Sequence, residues 1–359
     1  MSTIRANSIL DASGGSTATI NGTTPTGLSL QGFRNRIING DMRIDQRNAG
    51  VSVTPAASVV TYITDRWNIF PTQPSRLTTQ QNQGSVTPPT GFTNYLGVTS
   101  SSAYSVVAGD IFVLNQPIEG FNVADLGWGT ANAQSVTLSF WVRSSLTGQF
   151  SGSFMNSAQN RSYPFVFTIN AANTWEQKTI TVAGDTTGTW LTNNGVGLYV
   201  YFSLGVGSSF TATANTWVGS NRFSATGSVN LVGTNGATFY ITGVQLEAGT
   251  VATPFERRDY GRELMMCQRY FCFFNSSTGA AYSAAGAGAQ ARSGFYFPVT
   301  MRAAPTITVG TVASSSNISS DSFTAITADA KGGTYEIVQG AAAGNYFASR
   351  VDNRASIEL

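Results

Sequence analysis

Apolar and polar residues alternate strictly through the stretch SVTLSFWV, which places Val136, Leu138, Phe140 and Val142 on one face of a strand. The stretches YPFVFTI, with Phe165 and Phe167, VGLYVYFSLGV and ATFYITGVQL read as further strands. In the last of these, Phe239, Ile241 and Val244 depart from alternation, so a bulge is expected at Gly243. Turn-forming runs (LTGQFSGS, AGDTTGT, TNNGVG, VGTNGAT) separate these segments. Short strands at this spacing from Ser52 to Thr250 predict an all-β fold, a jelly-roll β-sandwich. Between Gln80 and Ala133 there is room for further strands, which the pattern does not locate.

The stretch PFERRDYGRELMMCQRYF breaks the pattern. Tyr260, Leu264, Cys267 and Phe271 recur four, three and four apart, which lines one face of a helix, and Pro254 suits its first turn. Such a helix packs either on its own domain or along a seam between subunits. After Phe273 comes the low-complexity run NSSTGAAYSAAGAGAQARSG, and then FYFPVTM, TITVGTV, TYEIVQG and ASIEL return to strand character. Residues 1–32 carry too few apolar positions for a core. The predicted order is an extended N-terminal arm (1–32), a jelly roll (33–254), a short helical connector (255–273) and a second, smaller β-domain (274–359).

Composition narrows the chemistry. Of 359 residues, 42% are hydrophobic and only 11% charged, against about 25% charged in ordinary domains. With a net charge of +2 and no basic run, no nucleic-acid partner is expected. No apolar run reaches the ~20 residues of a membrane span, and the N-terminus has no secretory core, so synthesis in the cytoplasm is expected. Histidine is absent, which removes Ser-His-Asp and Cys-His nucleophiles and histidine-ligated zinc. Cys267 and Cys272 read as buried thiols. There is no phosphate-binding loop, so neither catalysis nor an organic cofactor is expected.

Two windows hold much of the charge: FRNRIINGDMRIDQRNAG and the helical stretch above. Asn39, Asp41 and Gln245, with Thr242 and Glu247, are candidate oxygen ligands for a structural calcium. The competing reading pairs these groups with arginines. For sugar stacking, the candidate aromatics are Trp141 on the outer face of its strand, and Tyr282, Tyr296 and Tyr346 in the Ser/Ala/Gly-rich terminal domain.

The motifs NRIINGDMRIDQRNAG, TDRW and VQLEAGTVATPFERRDYGRELMMCQRYF resemble a module of bacteriophage tail-fibre and related virion proteins. SFWVR and NAANTWEQKTITVAGD resemble it too, and carbohydrate-binding jelly rolls more broadly; PVTMRAAPTIT looks like the start of C-terminal domains in such proteins. The resemblance implies a homotrimer on the virion. Its arm, residues 1–32, docks on a tail or capsid protein, and its C-terminal tip faces the host's surface polysaccharide or lipopolysaccharide. A capsid-decorating or vertex fibre and a polysaccharide depolymerase are the alternatives. In this frame the two charged windows meet at one end of the sandwich. Asp41, Asp45, Glu256, Asp259 and Glu263 then share arginines there, among them Arg36, Arg43 and Arg257, close to the trimer axis.

Overall fold

The computed structural model describes residues 33–280, 289–322, 330–340 and 346–359. The proposed arm and Tyr282 lie outside the described residues. The alternating segments become strands of two antiparallel sheets packed face to face. In chain order these are β1 (Thr61–Thr64), β2 (Trp67–Pro71), β3 (Leu77–Gln81), β4 (Leu96–Ser100), β5 (Ile111–Glu119), β6 (Val136–Ser144), β7 (Gly148–Met155), β8 (Ser162–Ile169), β9 (Glu176–Val182) and β10 (Val196–Val206). The short β11 (Thr211–Ala212) and β12 (Ser224–Ala225) follow, then β13 (Thr238–Ala248). One sheet runs β1-β2-β5-β10-β7-β8 and the other β3-β4-β13-β6-β9, which makes the body an all-β jelly-roll sandwich.

The inward faces are aromatic. Trp67, Phe112, Phe150, Phe165 and Phe202 from the six-stranded sheet meet Phe140, Val142, Phe239 and Ile241 from the five-stranded one. Burying each of these removes apolar surface worth about 1.5–3 kcal/mol from water. The expected irregularity in β13 is present: its register on β6 shifts between Thr242 and Gln245, and Gly243 sits at φ +61°. A Cβ there would stand 2.6 Å from the Phe92 ring, so glycine is required by both conformation and space.

β4 and β5 occupy the stretch in which the pattern located no strand. All nine residues of β5 are buried, because its outer side is covered as well as its inner one. A strand covered on both sides loses the period-2 signal. Ahead of β1, the opening window runs without regular structure. It still sinks Ile37, Ile38, Met42 and Ile44 into the interior.

The helix α1 (Tyr260–Gln268) is shorter than the predicted connector. Asp259 caps it by accepting the N–H of Arg262 at 2.8 Å, so the first turn starts there and not at Pro254. Phe271, expected on the helix, already belongs to the next strand. On the helix, Cys267 is fully buried and Tyr260 is exposed. Both cysteines are free and buried, and burial raises the Cys272 thiol to about 12.

The second domain follows at once. One sheet orders β14 (Phe271–Ala280), β20 (Tyr346–Ser356) and β16 (Thr306–Thr308), with β17 (Thr311–Ser316) also on β20. The other orders β15 (Gln290–Tyr296), β19 (Gly332–Gln339) and β18 (Ile318–Ser322). Cys272, Phe274, Phe295, Phe297, Tyr335 and Ile337 close a small core between them.

Candidate functional site

The outward face of the six-stranded sheet carries a row of side chains that strand register aligns. Tyr62 on β1 opposes Asn68 on β2, which opposes Asn115 on β5. Asn115 opposes Tyr201 on β10, and Tyr201 opposes Ser153 on β7. Within the row, the Asn115 amide donates to Asn68 Oδ1 at 2.6 Å. One step along the strands, Tyr199 stacks on Tyr201 with centroids 5.4 Å apart and planes at 26°. On the other flank, Phe70 faces Val113, and Ser203 Oγ has no hydrogen-bond partner among the described residues.

The chain after β10 folds back over part of this face. Residues 207–230 bring Phe210 and Phe223 across it, with Phe223 edge-on to Tyr201 at 4.9 Å, and Ser224 Oγ meets Ser151 Oγ at 2.6 Å. Tyr201 and Asn115 are thereby covered, while Phe70, Tyr199 and Phe210 stay half-buried along the rim. The row contains amides, hydroxyls and aromatic rings and no charged group. Burial raises the Tyr199 and Tyr201 phenols, which stay protonated donors at neutral pH.

The other candidate aromatics are scattered. Trp141 is half-buried on the outer face of the five-stranded sheet, between Thr242 and Gln177, with Phe92 beside it over Gly243. Tyr296 on β15 is 84% exposed. Tyr346 opens β20. The jelly-roll row escaped the sequence reading because Tyr199 and Tyr201 sit in an almost wholly apolar run. Their alternation with Leu198, Val200 and Phe202 was the available signal.

The charged windows do meet at one end of the sandwich, but with partners other than those expected. Glu256 accepts the backbone N–H of Asn35 at 2.7 Å and pairs with Arg258 at 3.2 Å. Glu263 pairs with the same Arg258 at 3.3 Å and accepts the N–H of Asn39. Asp41 pairs only within its own window, with Arg43 at 3.3 Å, and Arg43 reaches the Arg258 carbonyl at 2.6 Å. Four expectations need correction. Asp45 takes the N–H groups of Asn48 and Gly50 and thus closes a turn, and Asp259 caps α1; among the described residues neither forms an ion pair with an arginine side chain. Arg36 pairs at 2.5 Å with Asp125, outside both windows. Arg257 lies over the Phe92 and Phe255 rings. Backbone N–H groups compete for these carboxylates because the coil of the opening window leaves its own unpaired.

Two of the proposed calcium ligands, Asn39 and Gln245, are engaged by protein groups. The Asn39 amide donates to Ile44 O and Asp65 O, and its oxygen accepts the Ile44 N–H. The Gln245 oxygen accepts the Glu256 N–H at 2.7 Å while its amide donates to Glu247 at 2.9 Å. Both carbonyl oxygens are thus taken by protein donors. Among the described residues no three Asp, Glu, Cys or His side chains gather as a metal site would need. No helix among them is long and apolar enough to cross a membrane.

The fold is an all-β jelly-roll sandwich whose six-stranded sheet carries this face. No family model matches the chain, and no curated protein does. Solved structures align with part of the chain. A putative sugar binding protein from Bacteroides thetaiotaomicron aligns with 60% of this chain and 100% of its own, at 12% identity and TM-score 0.36. The family 11 carbohydrate-binding module from Clostridium thermocellum aligns with 56% of this chain and all of its own, at 10% identity and TM-score 0.28. The enzymatically active domain of bacteriophage CBA120 tailspike protein 4 aligns with 61% of this chain, at 14% identity and TM-score 0.30. That alignment spans 22% of the tailspike chain.

Proposed function

We propose that the protein is a non-catalytic, glycan-binding structural component of a bacteriophage fibre. In this reading it is a homotrimer on the virion tail, docked through residues 1–32 and directed at host surface polysaccharide or lipopolysaccharide. The observation that carries the glycan reading is the uncharged row on the six-stranded sheet, with Tyr199 and Phe70 open at its rim. A sugar ring lays its C–H face on an aromatic ring while its hydroxyls bond to amides and hydroxyls, and the row supplies both. The virion reading rests on the boundary motifs of the sequence.

Titration of purified host polysaccharide into the full chain tests the site. Tyr199→Ala is expected to weaken binding about tenfold, the scale of one lost aromatic contact, while Tyr296→Ala leaves it unchanged. The reverse result moves the site to the C-terminal domain, a reading favoured by the exposure of Tyr296. If both variants bind as the parent does, the glycan reading fails at both sites. New reducing ends after incubation would instead mark a depolymerase. A monomer in light scattering at micromolar concentration would remove the trimer.

A further inference from the structure

Two arginines of the boundary motifs, Arg47 and Arg66, converge on one distant carboxylate. Arg66 stands in the tight turn between β1 and β2 at φ +70°. That left-handed conformation costs a side-chain-bearing residue about 1 kcal/mol, and glycine takes it freely. The side chain held there at this cost is 1% exposed. Its guanidinium lies 3.6 Å from the Tyr270 ring centroid, donates to the Pro117 carbonyl at 2.7 Å and pairs with Glu358. Arg47 donates to the second Glu358 oxygen at 2.5 Å and lies over the Phe271 ring at 3.9 Å.

A third arginine holds the same segment by its main chain. Arg302 donates to the carbonyls of Ile357 and Glu358 at 3.2 and 3.0 Å, and to Asn194 of the body at 2.7 Å. Leu359 packs against the cluster of Ile38, Ile44, Cys267 and Tyr270. These three arginines come from the opening window, the TDRW turn and the PVTMRAAP segment. The socket therefore exists only where the body and the base of the second domain are together.

We infer that Arg47, Arg66 and Arg302 form a carboxylate socket whose ligand is the Ile357–Glu358 segment of this same chain, and that this latch anchors the C-terminal domain to the jelly roll. The domain's other junction is anchored beside it. Arg269 grips Glu119 through two nitrogens at 2.9 and 2.6 Å, and the Tyr270 hydroxyl donates to Glu119 at 2.6 Å. The two junctions are neighbours, since Phe271 opposes Ser356 and the Ile357 N–H donates to the Tyr270 carbonyl at 2.9 Å. The strands β14 and β20 thus leave the body at one doubly clamped junction, with the Arg302–Asn194 tie beside it. Loss of Glu358 leaves the Arg66 charge buried without its counter-ion, which is the expensive way to break such a pair.

The test is a thermal and exchange study of the full chain. Arg66→Gly relieves the backbone strain, so a role in the turn alone predicts an unchanged or raised melting temperature. The latch predicts a fall of about 5–10 °C. Glu358→Gln is expected to do the same, and the double variant to fall no further than either single one. In Glu358→Gln, amide exchange in β14 and β20 should rise at least tenfold while β10 keeps its protection. The milder Arg47→Lys should raise it about threefold, which covers the case in which a stronger variant fails to fold. A neutral Arg66→Gly, an additive double variant, or unchanged exchange in β14 and β20 of Glu358→Gln would overturn the latch.

Discussion

The jelly roll buries Trp67, Phe112, Phe140, Phe150, Phe165, Phe202 and Phe239 completely between its two sheets. The C-terminal domain closes on a handful of rings around Phe274, Phe295 and Tyr335, and its strand β17 is exposed at every residue. Both domains are antiparallel β-structure, yet they differ in how much apolar surface each hides per strand. The smaller domain compensates with ionic and hydrogen-bonded ties to the larger one, through Glu119, Glu358 and the Asn194 carbonyl.

The largest effect that sharpens this comparison comes from removing one ring from each core. Phe202→Ala should cost about 3–5 kcal/mol and lower the melting of the whole chain. Phe295→Ala should raise amide exchange in β14, β15 and β19 and leave β5 and β10 protected. If Phe202→Ala unfolds only the body, the two domains are not linked as the latch requires.

A smaller effect follows from Asp65, buried beside the socket. Burial raises its carboxyl to about 6 in the folded chain, although Gln46 donates to it twice and Arg47 lies near. The ordinary value is 3.8, so folding favours the protonated form. The stabilisation is complete below about pH 4 and is lost as pH rises through about 6, an effect on the order of 2–3 kcal/mol. Asp65→Asn should flatten that part of the stability curve in urea titrations between pH 4 and 7. An unchanged slope would mean that other groups govern it. The smallest effect is at the connector. Asp259→Ala removes the cap of α1 and should cost about 1 kcal/mol, seen as faster exchange of the first helical turn with both sheets unaffected.

Much of the sandwich was legible because apolar Val136, Leu138, Phe140 and Val142 alternate with mostly polar residues along β6, and the Gly243 bulge in β13 showed as a break in that period. β5 was illegible for the opposite reason: covered on both sides, it has no polar phase. The connector was located but overextended, since the spacing of Tyr260, Leu264, Cys267 and Phe271 continues across the boundary where β14 begins. The candidate sugar aromatics Trp141 and Tyr296 could be named but not joined. They stand on different sheets of different domains, whereas Tyr199, Tyr201 and Asn115 become neighbours only through strand register.

The sequence by itself determined the fold class and the two windows where charge gathers, because these depend on local pattern and composition. It could not assign partners to the charges. An arginine at position 47 or 66 has many carboxylates within its reach in the chain, and only the folded topology brings Glu358, almost 300 positions away, into the same buried volume as both. There, ion pairing is decided by which groups lose their water together, and that is a property of the tertiary structure alone.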